Sequence, residues 1–128
     1  MDVKPTAQVS VIGSMVIDPR TVPLMMQELT ADCFSDPVCR HAFEAIKKLW
    51  GANDTIDPVT ILDTMGGERY SEFIAAVMQL TPTAANCKEY AEIVVRQHEF
   101  EAIKAACFDI ATGTVDLDEA RQKLSEAA

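Results

Sequence analysis

Cys33, Cys39 and His41 are the residues whose types and closeness come nearest to a chemical site. A structural zinc site needs thiolates and imidazoles at short spacings, usually in pairs two to four apart. Here five residues separate the two cysteines, one separates Cys39 from His41, and His98 stands far along the chain. A cysteine nucleophile needs a histidine base in reach and a third group to orient it. Cys39 and His41 are two apart on an expected helix and so face different sides. Phosphate chemistry needs a glycine-rich loop, but no Gly-Lys-Ser/Thr comes after the one glycine pair, Gly66-Gly67. No catalytic, cofactor-binding or metal-ligating residue is therefore assigned, and His41 and His98 read as ordinary helix-surface residues. The other cysteines, Cys87 and Cys107, sit among apolar neighbours. With no secretion signal at the N-terminus, free thiols are the expectation for all four. A cysteine-based enzyme or a metal protein stays as the alternative that thiol titration and metal analysis would test.

Recognition is the chemistry that remains. Tyr70 comes after the Gly66-Gly67 break and reads either as a half-buried staple with its hydroxyl in water or as an interface anchor. The stronger signal lies between Thr81 and Thr112. Asn86 and Glu89 have capping-box spacing, and no proline interrupts the chain from there to Thr112. Ile93, Phe100 and Cys107 recur every seven residues, and Ile103 and Ile110 add a second row three positions on. That is a coiled-coil-like stripe on one helix of about seven turns. Gly113 ends it, and Asp116 with Glu119 opens a second helix that holds Leu117 and Leu124. The two form a helical hairpin. The second helix covers only part of the stripe, so the stripe reads as an assembly surface.

The elements before the hairpin are punctuated by Asp18-Pro19, Asp36-Pro37 and Asp57-Pro58. Asp is a strong helix N-cap and Pro suits the first helical position. Asp18 is expected to open a helix with Val22, Met25, Met26 and Leu29 on one face. Asp36 opens one with Val38, Ala42, Phe43, Ile46, Leu49 and Trp50, closed by Gly51. Asp57 opens one with Val59, Ile61, Leu62 and Met65, closed by Gly66-Gly67. Glu68 to Leu80 is expected as a further helix with Tyr70, Phe73, Ile74, Val77 and Leu80 on its apolar face. Ala7 to Val16 reads as a short helix, with strand as the competing reading because of its Val and Ile content. The fold class is all-α: a small globular helical bundle over about residues 6–80, then an extended helical hairpin over about 86–127.

The 128 residues suffice for one domain with a real core, and 48% are apolar. No apolar run is long enough for a membrane span, so a cytoplasmic protein without membrane contact is expected. The net charge of −9 opposes tight binding of a nucleic-acid backbone, which Lys and Arg carry. A basic protein partner fits it better, and so does a merely solubilising acidic surface.

The segments SVIGSMVIDP, DCFSDPVCRHAFEAI, IDPVTI, GGERY and TPTAANCKEYAEIV stand in an order and spacing that closely resembles a known family. It is the N-terminal domain of the bacterial hexameric replicative DNA helicase, the DnaB type, and the likeness covers about residues 7–127. Departures are the Thr6-Ala7-Gln8-Val9 stretch, where the family is acidic, and a shorter Asp57–Gly66 segment. The family's ATP- and Mg-binding motor domain is absent from residues 1–128. The resemblance implies an assembly and primase-docking role in DNA replication, with no catalysis by this part. Hairpins would pair into dimers, and three dimers would form a hexamer collar. The implied dimer interface is Ile93, Phe100, Ile103, Cys107, Ile110, Leu117 and Leu124. Primase would meet the collar through its C-terminal domain, at positions that fall on Tyr70, Lys104 and Ile110; Lys104 stands where the family has an apolar residue. A helicase loader is a further implied partner, and direct DNA contact is expected to be slight. A free-standing helical regulator that copies this domain and caps a helicase is the competing reading.

Overall fold

The computed structural model describes residues 2–127, and all regular structure within them is helical. The chain divides into two compact units, the first ending at Val94 and the second starting at Val95.

In the first unit, α1 (Ala7–Ile17) is the central element. Thr6 caps it, its hydroxyl accepting from the Val9 amide at 3.2 Å. Val9, Val11, Ile12, Gly13, Ser14, Met15 and Val16 are all buried, because α1 packs against several other helices of the unit. Burial all round explains why its pattern reads as helix or strand from sequence. Gly13 is needed for close approach: a Cβ there would overlap the Thr81 side chain and lie 2.6 Å from the Val77 carbonyl oxygen.

Asp18 opens a 3-10 turn, Pro19–Thr21, rather than an α-helix; α2 (Val22–Glu28) starts after it. Val22 and Met25 are buried as expected, while Leu29, also buried, lies just past the helix end. Asp36 caps α3 (Pro37–Gly51), its carboxylate accepting from the Val38 and Cys39 amides at 2.8 and 3.1 Å. Asp57 caps α4 (Pro58–Met65) in a reciprocal box with Thr60. The expected core faces hold except at two positions: Trp50 is 43% and Val59 75% exposed. Gly66 and Gly67, both at positive φ, end α4. Glu68–Tyr70 then forms a 3-10 turn, so α5 (Ser71–Leu80) begins three residues later than its apolar pattern suggests. Phe73, Ile74 and Val77 of α5 complete the core with Phe34 and Phe43, whose rings lie 4.9 Å apart.

The long helix α6 (Cys87–Ala111) has the expected length, and the Asn86 carbonyl accepts its first helical bond from Tyr90. Cys87, Ala91 and Val94 are buried, so this stretch belongs with the first unit.

In the second unit, Gly113 takes φ +71° and ends α6, with the Thr114 amide donating back to the Asp109 carbonyl. Asp116 caps α7 (Leu117–Ala127), its carboxylate accepting from the Glu119 amide at 2.8 Å. Among the described residues no helix is long and apolar enough to cross a membrane.

Candidate functional site

Within the second unit the two helices meet through small residues. Ala106 on α6 and Ala120 and Ala127 on α7 are the buried positions. Asp109 and Lys123 bridge the pair at 3.2 Å. The large apolar side chains of the pair are left exposed. Phe100 is 65%, Leu117 66%, Leu124 40%, Ile103 39% and Ile110 37% exposed.

Those side chains share a side. At about 100° per residue, Ile103 and Ile110 point within about 20° of each other, about 40–60° to one side of Ala106. Leu117 and Leu124, seven apart, stand equally far from the Ala120–Ala127 line on α7. In an antiparallel pair of right-handed helices, these two rows open onto the same flank. Phe100 and the exposed Cys107 continue it around the outer side of α6. The structure thus brings six of the seven expected interface residues onto one apolar flank of the second unit. The seventh, Ile93, lies in the first unit and is half-buried.

The pattern of sevens passes over Phe108, which is 67% exposed. It lies about 140° from Ile103 around α6, off the apolar flank. Its signal in the sequence was only that it stands beside Cys107 and out of the repeat.

The three positions implied for primase contact are divided between the units. Tyr70 is in the first, half-buried; Lys104 and Ile110 are in the second. Lys104 and Ile110 are about 120° apart around α6, so they face different directions. Ile110 is also part of the apolar flank, so the two implied roles compete for it.

Tyr70 is held by neighbours that sequence reasoning did not connect to it. Its ring centroid lies 5.1 Å from that of His41, and the Arg69 guanidinium carbon lies 5.0 Å from it. His41 is not a plain surface residue: its Nε2 lies 2.5 Å from the Met65 carbonyl oxygen at the end of α4. A carbonyl only accepts, so Nε2 carries the hydrogen. This bond ties α3 to the turn that presents Tyr70.

Cys39 is fully buried, and burial, with the Asp36 carboxylate adding to it, pushes its thiol up to about 12. Such a thiol is no nucleophile at neutral pH. Cys33, Cys39, Cys87 and Cys107 are all free. No group of three or more His, Cys, Asp or Glu among the described residues is arranged to hold a metal ion.

Comparison with known proteins accounts for this architecture. A family model of the DnaB-like helicase N-terminal domain matches residues 3–96. The chain is 29% identical over 97 residues to the replicative DNA helicase DnaB of Mycobacterium leprae, covering 71% of this chain and 16% of that protein. It therefore spans under a fifth of that relative's length. The crystal structure of the N-terminal domain of DnaB helicase from Mycobacterium tuberculosis superposes with a TM-score of 0.83 at 23% identity, over 95% of this chain and 98% of that one. At that identity the likeness is one of fold, and it extends beyond the stretch that the family model matches. The all-α architecture and the match over most of the chain together make this protein a member of the DnaB-like helicase N-terminal domain family.

Proposed function

We propose that this chain is the assembly and docking domain of a replicative DNA helicase and does no catalysis itself. Its α6–α7 hairpin pairs with that of a second copy, and three such dimers build a collar. The collar receives the C-terminal domain of primase through the surfaces that hold Tyr70, Lys104 and Ile110, and it offers a site for a helicase loader. Holding primase beside the motor raises its effective concentration near newly exposed single-stranded DNA, in the cytoplasm, with no chemistry by this domain. ATP and Mg would act in a motor domain elsewhere.

One observation supports this most: large apolar side chains line one flank of the hairpin and remain exposed in the lone chain. An isologous dimer buries such a flank twice over. Family membership supports the same reading, because the relative from Mycobacterium leprae is a replicative helicase. Sedimentation equilibrium over a wide concentration range tests it. A reversible dimer is expected for the unaltered chain, and a monomer for the Phe100→Glu, Ile103→Glu variant. A dimer that survives both charges would remove the hairpin from the interface.

A further inference from the structure

We propose that Arg69, His41 and Tyr70 form a preorganised recognition cluster that takes a carboxylate of the docked partner, with Tyr70 as the aromatic anchor and Arg69 as the ligand to the acid. This rests on the docking function proposed above and names the chemistry of one contact.

The cluster is built from two elements, α3 and the Glu68–Tyr70 turn. The His41 ring on α3 and the Arg69 guanidinium both lie against the Tyr70 ring, at 5.1 and 5.0 Å. His41 is itself fixed by its bond to the Met65 carbonyl. Gly66 leaves space beside Arg69, whose Nη2 lies 3.1 Å from where a Cβ on Gly66 would sit. The glycine turn makes room for the guanidinium, and any other residue at Gly66 would press on it. Tyr70, which could swing freely at the end of a turn, is therefore held in one place before any partner arrives. Preorganisation of this kind lowers the entropy cost of binding.

The chemistry of the ligand is set by Arg69. Stacking uses the flat face of a guanidinium and leaves its N–H edge free for a planar acceptor. Among the described residues no carboxylate reaches Arg69 within ion-pair distance; the bridges formed there are Arg20–Asp18 and Lys123–Asp109. An exposed arginine beside an aromatic ring suits a carboxylate, which can take two parallel hydrogen bonds. A carboxylate of a protein side chain is the occupant proposed, set beside an apolar group that packs on Tyr70.

The test uses the C-terminal domain of the primase from the same genome as probe, with affinity measured by titration calorimetry at several salt concentrations. Arg69→Gln should weaken binding about tenfold to a hundredfold, as expected for a charge-assisted contact, and flatten the salt dependence. Arg69→Lys should recover only part of the loss, because an ammonium cannot stack or bind in parallel. His41→Gln keeps a donor for the Met65 carbonyl but loses the ring; it should weaken binding while leaving the thermal midpoint near that of the unaltered chain. If the unaltered chain binds the primase domain and Arg69→Gln binds equally well, the docking function stands and the carboxylate contact is overturned. Full recovery by Arg69→Lys would overturn the stacked geometry. Undiminished binding by His41→Gln would overturn the positioning role of His41. If the unaltered chain does not bind the primase domain at all, the docking function itself fails and this contact with it.

Discussion

Truncating Phe100 gives the sharpest test of the hairpin interface. The side chain is 65% exposed in the lone chain, so about two thirds of its apolar surface is available to a partner. Burying a Phe side chain fully is worth up to about 3 kcal/mol; two thirds of about 2.5 kcal/mol leaves about 1.6 kcal/mol per copy. A two-fold interface loses the contact in both copies, so Phe100→Ala should weaken the dimer by about 3 kcal/mol, or about 150-fold in Kd. The fold should not suffer, because an exposed side chain leaves no cavity. The control is internal: Phe108 is the same residue type, on the same helix, and 67% exposed, but it faces away from the flank. Phe108→Ala should change the dimer Kd by less than about threefold, well within what an exposed surface change does. The assay is sedimentation velocity over a dilution series, with circular dichroism to confirm equal helicity. A Phe100→Ala Kd within about threefold of the unaltered chain would refute the reasoning, and so would equal losses for the two phenylalanines.

Other consequences are open to direct measurement. Gly13→Ala should destabilise the first unit by about 1–3 kcal/mol, read as a lower denaturation midpoint, because its Cβ meets the Val77 carbonyl at 2.6 Å. Thr81→Val should be neutral or stabilising by about 1 kcal/mol, since the Thr81 hydroxyl oxygen is buried without a hydrogen-bond partner. Maleimide labelling with mass-spectrometric readout should modify the exposed Cys107 first and the buried Cys39 last, and raising the protein concentration should slow Cys107 as the dimer forms. The Cys39 thiol also sets an alkaline dependence. Its folded value of about 12 lies above the ordinary 9.0, so it stays protonated when folded but ionises when unfolded. Stability is fully present below about pH 9 and falls as pH rises toward 12; Cys39→Ala should flatten that decline relative to the unaltered chain.

Much of the architecture was legible along the chain because its signals are local. Asp36, Asp57 and Asp116 each accept hydrogen bonds from amides two or three residues ahead. Such caps depend on nothing farther away, and Gly113 ends α6 by a conformation that its own lack of a Cβ allows. The periodicity that marked α3, α5 and α6 is equally a property of a short window. The same locality misled where two local signals competed. Asp18-Pro19 reads as a helix start, yet it nucleates a 3-10 turn, its carboxylate being shared between the Arg20 amide and the Arg20 guanidinium.

What a side chain touches was decided only by tertiary packing. Trp50 and Val59 sit at apolar positions of α3 and α4 but face solvent, because no element of the first unit covers those ends. The heptad on α6 marked an apolar stripe that the second helix covers only in part, and the buried positions of the second unit are Ala106, Ala120 and Ala127. That leaves Phe100, Ile103, Leu117 and Leu124 outside. His41, Arg69 and Tyr70 meet although His41 is on another helix, and Gly13 meets Thr81 from the far end of the first unit's sequence. Caps and periods are written within a few residues of one another. Contacts across such separations arise only when helices find their neighbours, and it is those contacts that set this protein's exposed surfaces.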